Sequence, residues 1–320
     1  MNRPAQLSGS ITSAATPAQT ALRRRGKLSR RDTRVAAALL LPALLCVVGL
    51  IGYPMYLVVS MSFREGLGIN FMNPSSSRFG LKNYCAVLSD PATWHSTMIT
   101  LIYTAGSILP AFMIGLGLAV LLNQHFPGRR VMRGLAMLPW AVPSVLTSIA
   151  FLWLLDASYG VVNYLLRLSG LVTHDIAWFS ASQTALLAVT LPTIWKSFPF
   201  FTLTFLAAMQ GIPAELYEAA KIDRANRWER FRYITWPGVR GPAVLALVLN
   251  SLWAFREFDI IFVTTGGGPA RATETLGIRA YLDAFSYFKV GEAAVLGMLM
   301  LALALIFVLL ARRPLKKEFF

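Results

Sequence analysis

Residues 218–237 read EAAKIDRANRWERFRYITWP, from Glu218 to Pro237. This polar stretch separates two long apolar runs, and a chain does not need it to cross lipid. Ile212-Pro213 just ahead starts a helix, because proline is favoured in a first turn. Glu215 and Glu218 near that start suit the helix dipole. Ala219, Ala220 and Ile222 form a low apolar stripe. Asn226 with Glu229 three residues later has the pattern of a capping box, so a second short helix follows. Trp228, Phe231 and Tyr233 supply its apolar bulk, and Pro237 is expected to end it. The stretch reads as a polar helix–turn–helix, either packed on its own bundle or built to dock on a partner chain.

The surroundings are apolar. The 320 residues are 56% hydrophobic and 14% charged, against roughly a quarter charged in soluble chains. Six runs approach or exceed the ~20 helical residues a bilayer core requires: 35–60, 98–123, 135–155, 184–209, 242–263 and 293–311. Lipid offers backbone groups no partners, so these runs should be helices. The expected fold class is an all-α integral membrane protein with six transmembrane helices. Residues 1–34 are expected to be a disordered basic tail, 35–312 the membrane domain with its polar loop at 211–240, and 313–320 a short tail. Pro42, Pro54, Pro110, Pro139, Pro143, Pro192 and Pro199 lie in or beside spans. Asn73-Pro74-Ser75-Ser76-Ser77 is turn chemistry, and Tyr159 to Leu166 forms an amphipathic segment suited to the outer interface.

The net charge of +15 is unevenly placed. The N-terminal segment, the 124–134 and 211–241 loops and the C-terminal tail hold 21 of the 30 Lys and Arg residues. The other three loops hold only seven: Arg64, Arg78, Lys82, Arg167, Arg271, Arg279 and Lys289. The positive-inside rule puts both termini and the polar hairpin in the cytoplasm. Charge of this kind reports topology, so no nucleic-acid partner is expected; Arg23 to Arg34 could meet anionic lipid. The first span lacks a small-x-small cleavage pattern and is too long for a signal peptide. Cys46 and Cys85 form no disulfide framework. His95, His125 and His174 are scattered, no metal site is expected, and no catalytic constellation stands out.

Polar groups within spans are functional candidates. Asn250, Ser251, Trp253 and Glu257 lie in the fifth run, and Asn250, Trp253 and Glu257 share one face at helical spacing. An aromatic face with amide and carboxylate groups is the chemistry that binds a sugar. Arg256 with Glu257 or Asp259 could instead be an ion pair. Lys196 could snorkel or neutralise a carboxylate. Trp140 and Trp178 read as interfacial belt residues.

The pattern Glu218-Ala219-Ala220, then Arg224-Ala225, then Ile234-x-x-Pro237 resembles the signature loop of binding-protein-dependent ABC importer permeases. It departs in two places: Trp236 stands for Leu, and Arg224 for the usual Gly, so a turn of another type is expected. Phe255-Arg256-Glu257-Phe258-Asp259, Thr264-Thr265-Gly266-Gly267-Gly268-Pro269 and Phe79 to Tyr84 are similar to the maltose-type sugar branch, carbohydrate uptake family 1. The resemblance covers residue 35 to the C-terminus. It implies that Glu218, Ala219, Ala220, Asp223, Ala225 and Pro237 belong to a helix coupling the chain to an ATPase. It implies a homologous second permease, two ATPase subunits, a periplasmic binding protein and a carbohydrate substrate in a bacterial inner membrane. ATP and magnesium would sit on the ATPases, with no cofactor on this chain. Gly266, Gly267, Gly268 and Pro269 are expected to form a tight turn at the outer mouth, not a nucleotide loop, which would need a Gly-Lys-Ser/Thr ending. The sugar is left open, as are polyol and glycerol phosphate. Two further classes stay on the table: an ion-coupled secondary transporter using Glu257, Asp259 and Lys196 as a relay, and a membrane enzyme, for which no reactive cluster is seen.

Overall fold

The computed structural model describes the backbone of residues 30–66 and 77–319, with side chains within 38–66 and 77–311. The expected basic tail to residue 29 and the turn run Asn73 to Ser76 lie outside the described residues. Two units are separated between Tyr56 and Leu57.

The first unit holds α1 (Arg30–Val47), a π-helical turn Val48–Gly52 and the start of α2 (Tyr53–Ser62). Residues 30–34, inside the segment expected to be a tail, are thus helical. Pro54 follows the π turn closely; a proline has no N–H to give the preceding turn and crowds its carbonyl, and a widened turn accommodates it.

The second unit is a helical bundle with a small outer ornament. Strands β1 (Arg64–Glu65) and β2 (Arg78–Phe79) pair antiparallel, Arg64 opposite Phe79, and lead into α3 (Lys82–Ser89). Asn83 donates to the Ser62 and Arg64 carbonyls at 3.1 and 2.9 Å. Gly291 lies so close that a Cβ would come 2.4 Å from the Asn83 amide nitrogen. Asp90 then caps α4 (Pro91–Leu122), its carboxylate accepting the Ala92 N–H at 2.9 Å with Pro91 in the first turn, the arrangement favoured at helix starts.

α4 forms its largest helix contact with α8 (Ser182–Gln210). Small residues let the backbones approach, as is usual between membrane helices. A Cβ on Gly115 would stand 2.5 Å from the Phe201 Cβ and 2.9 Å from the Phe198 carbonyl oxygen. Ala111, Ala119, Phe201, Phe205, Ala243 and Ala246 form the core around this contact, and Phe112 meets Phe201 and Phe205 edge-on at 5.5 and 5.1 Å.

The expected third span is broken. α5 (Arg129–Ala141) and α6 (Ser144–Leu154) meet at 97° across Val142-Pro143. Pro143 cannot donate into the turn before it, and it forces Val142 out of helical geometry; Val142 is extended, with ψ 130°. Lys196 of α8 reaches the freed Val142 carbonyl with its Nζ. α7 (Val161–Leu168) follows α6.

Beyond α8 come α9 (Ala214–Ile222) and α10 (Arg227–Arg230), a π turn Phe231–Thr235, and α11 (Trp236–Phe255). Pro237 does not end the hairpin. It sits in the first turn of α11, just behind a π turn as Pro54 does. The expected fifth span, 242–263, stops at Phe255 and resumes as α12 (Asp259–Thr264). α13 (Leu276–Tyr281), a third π turn Leu282–Ser286 and α14 (Val290–Phe319) complete the chain, with α14 running through the residues expected as a C-terminal tail. Among the described residues, five helices are long and apolar enough to cross a bilayer, or six if α5 and α6 count as one bent span.

Candidate functional site: an exposed hairpin joined to a buried cavity

The hairpin is rigidly specified by local bonds. α9 ends in a left-handed turn at Arg224, φ 58°. The Ala225 N–H reaches the Ala220 carbonyl at 2.8 Å and the Arg224 N–H the Lys221 carbonyl at 3.1 Å, the paired bonds of a Schellman ending. The turn is thus of the glycine type despite the arginine, contrary to the expectation of another geometry. Asn226 then accepts the Glu229 N–H at 2.9 Å, while Glu229 accepts the Asn226 N–H at 2.7 Å, closing the capping box at the head of α10. Tyr217 ties α9 to the π turn through Thr235, 2.9 Å between hydroxyl oxygens.

No residue of α9 is buried. Glu218, Ala219, Asp223 and Pro237 are exposed, and Ala220 and Ala225 half-buried. Ile222 and Trp228 are 82% and 65% exposed. The hairpin thus carries large apolar side chains exposed on a polar segment, while Tyr217, Ala220 and Ala225 keep it in partial contact with the rest of the unit.

A second constellation lies where the broken helices meet. A small cavity of about 130 Å³ is lined by Trp140, Thr193, Lys196, Asn250, Trp253 and Glu257, among others. Asn250 is 2% exposed and donates to the Ala246 carbonyl at 3.1 Å. Trp253 meets Phe200 edge-on at 5.2 Å. Glu257 accepts the Ile260 N–H at 3.2 Å and so supports the start of α12. Of the four expected substrate residues, Asn250, Trp253 and Glu257 come together here, although Glu257 lies past the helix end rather than on one continuous face. Ser251, half-buried on another face of α11, does not line the cavity. Among the described residues no ion pair joins Arg256 to Glu257 or Asp259.

Of the two tryptophans read as belt residues, Trp140 borders the cavity and stays 56% exposed. Trp178 is buried, its indole N–H held by Asn163 Oδ1 at 2.9 Å. Pro143 in the sequence marks the break between α5 and α6 beside which Trp140 stands.

The triple-glycine loop occupies the end of the bundle away from α9. Gly266 and Gly267 take φ of 58° and 97°, and Gly268-Pro269 is cis. Thr273 donates to the Gly268 carbonyl at 2.7 Å. A Cβ on Gly267 would come 2.9 Å from Ile278.

A bundle with several helices able to cross a bilayer, an exposed polar hairpin, and a cavity bearing Lys196, Asn250 and Glu257 among broken helices suits a membrane permease component. The chain belongs to the family described as binding-protein-dependent transport system inner membrane components, whose pattern matches residues 85–313. It is 35% identical over 266 residues to the trehalose/maltose transport system permease protein MalF of Thermococcus litoralis, covering 83% of this chain and 87% of that one. It is 32% identical over 282 residues to the diacetylchitobiose uptake system permease protein DasB of Streptomyces coelicolor, covering 87% and 85%. Among solved structures, a bacterial ABC transporter for import of the acidic polysaccharide alginate shares the fold with a TM-score of 0.78 at 21% identity, over 91% of this chain and 98% of that one. This chain is accordingly a multi-pass permease subunit of the ABC importer type.

Proposed function

We propose that this subunit moves a carbohydrate from periplasm to cytoplasm, driven by ATP hydrolysis on two separate ATPase subunits, and carries no catalytic residue itself. The relatives named for trehalose/maltose, diacetylchitobiose and sulfoquinovosyl glycerol support a sugar substrate. The observation that carries the reading is a mechanical one. The helical segment that starts in the hairpin at Arg227 continues to Phe255, so the element bearing Trp228 at one end bears Asn250 and Trp253 near the other. Its 29 residues at a rise of about 1.5 Å make this a strut of about 44 Å. Nucleotide-driven closure of an ATPase gripping Glu218, Ala219, Ala220, Asp223 and Ala225 then displaces the cavity wall directly, and Pro237 lies within the strut's π-to-α junction.

In this reading residues 35–312 are the permease unit, both termini lie in the cytoplasm, and lipid covers the outside. A homologous second permease closes the other side of the pathway. A periplasmic binding protein presents the sugar at the end carrying Gly266 to Pro269. Asn250 and Glu257 bond sugar hydroxyls while Trp253 stacks on the C–H face; ATP and magnesium stay on the partner chains.

The test is a cross-link. With Ala225→Cys, a short bifunctional thiol reagent in membranes should join this chain to a copurifying ATPase, and replacing that ATPase's phosphate-binding lysine should stop uptake. Uptake that survives without the ATPase and collapses with a protonophore would overturn the proposal in favour of an ion-coupled carrier.

A further inference from the structure

At the end of the bundle remote from α9, a cavity of about 700 Å³ opens between the C-terminal end of α6, the segment preceding α8 and the loop after α12. Its size lies within the range of about 300–1,000 Å³ usual for ligand clefts, whereas the inner cavity is far smaller. Two aromatic rings on its wall are largely exposed: Trp153 is 65% and Tyr159 73% exposed. Between them stands Asp156, whose Oδ1 accepts the Ser158 and Tyr159 N–H groups at 2.8 and 3.1 Å. Those backbone bonds, that of Ser158 foremost, hold its carboxyl below the usual range, so the wall presents an ionised acceptor. Ser180 and Thr264 add hydroxyls.

A lipid-facing belt would account for the aromatics alone. It does not account for a carboxylate and two hydroxyls sharing their concavity, since charge facing hydrocarbon is costly. Flat apolar rings beside fixed acceptors and hydroxyls match a pyranose, which offers a C–H face and a rim of hydroxyl groups. α12 connects the two levels. Ile260 lines the inner cavity and Thr264, one turn on along the same face, lines the outer. Thr264 donates to the Ile260 carbonyl at 2.7 Å, which leaves its oxygen as an acceptor.

We propose that this outer cavity is a carbohydrate-receiving subsite, in which Trp153 and Tyr159 stack on a pyranose unit and Asp156 bonds its hydroxyls before the sugar passes to Asn250 and Trp253. The inference rests on the import reading above and adds a second station to it.

Proteoliposomes holding the full complex with its binding protein are supplied with radiolabelled maltose, trehalose and N,N′-diacetylchitobiose. Trp153→Ala and Tyr159→Ala should each raise KM for the transported sugar at least fivefold while the maximal rate falls by less. Trp153→Phe should restore KM to within twofold of wild type. The fluorescence lost in Trp153→Phe, taken as a difference from wild type, should be quenched by aqueous acrylamide and altered by the sugar. Unchanged KM in the Trp153→Ala/Tyr159→Ala pair, or quenching of that fluorescence by brominated lipid instead of acrylamide, would overturn the subsite while leaving the import reading intact. Absence of uptake of all three sugars by the wild-type complex would remove the import reading, and the subsite with it.

Discussion

Arg224 holds a left-handed position, φ 58°, where a side chain costs on the order of 1 kcal/mol that glycine avoids. Arg224→Gly should therefore raise the apparent Tm of the purified complex, reflecting about 1 kcal/mol of added stability; an unchanged or lower Tm in a thermal unfolding scan would show that the turn is not strained by its side chain. A second local device sits at the other end of the bundle. Arg279 is almost wholly buried, its Nη2 on Asp90 and its Nε 3.7 Å from Asp283. The Arg279 bond, then the Ala92 N–H, holds the Asp90 carboxyl below its usual range. A depressed folded pKa stabilises above the unfolded value and is lost as pH falls through the folded one. Asp90→Asn should thus lower stability by a similar amount from pH 5 to 8, with the gap to wild type closing only below about pH 4. Asp90 is more than a third exposed, so solvent screening limits the pair to about 1 kcal/mol. A gap that instead narrowed between pH 8 and 5 would contradict this. What was legible at this scale was local. Asn226 and Glu229 announce their reciprocal bonds by spacing alone. The turn at Arg224 was misjudged because the paired bonds closing α9 outweigh one side chain's preference. Trp178 was misjudged because its partner, Asn163, is tertiary.

At the scale of elements, hydropathy located every long helix but not its direction. The runs at 98–123, 184–209 and 293–311 lie within α4, α8 and α14 apart from a residue at an end. The run at 135–155 hides a 97° bend, because a count of apolar residues is blind to what Pro143 does to Val142. The run at 242–263 hides a helix end, although Glu257 three residues before Ile260 carried a capping signal. Packing between elements was equally invisible, and Gly115 is the instance with the sharpest consequence. With only 2.5 Å between an added Cβ and that of Phe201, Gly115→Ala should push α4 from α8 and cost about 1–3 kcal/mol. Gly117, on another face of α4 with open space around it, is the control: Gly117→Ala should leave thermal stability unchanged or slightly raised. Equal losses at both positions would place the effect in helix propensity rather than in packing.

For the molecule as a whole, the sequence made the hairpin and the cavity separately visible, through Glu218-Ala219-Ala220 and through Asn250 and Trp253. It did not show that the second helix of the hairpin runs on, from Arg227 to Phe255, into the segment bearing Asn250 and Trp253, since Pro237 read as a stop. In the proposed function that continuity is what would carry a partner's movement from the hairpin to the cavity wall. The measurement that tests it most directly is ATP-driven sugar uptake by proteoliposomes containing Ala220→Arg, with insertion and subunit assembly verified alongside. Uptake at background, with the variant fully inserted and ATP still hydrolysed at the basal rate, is the predicted result. Uptake at the wild-type rate would mean that force does not enter through α9.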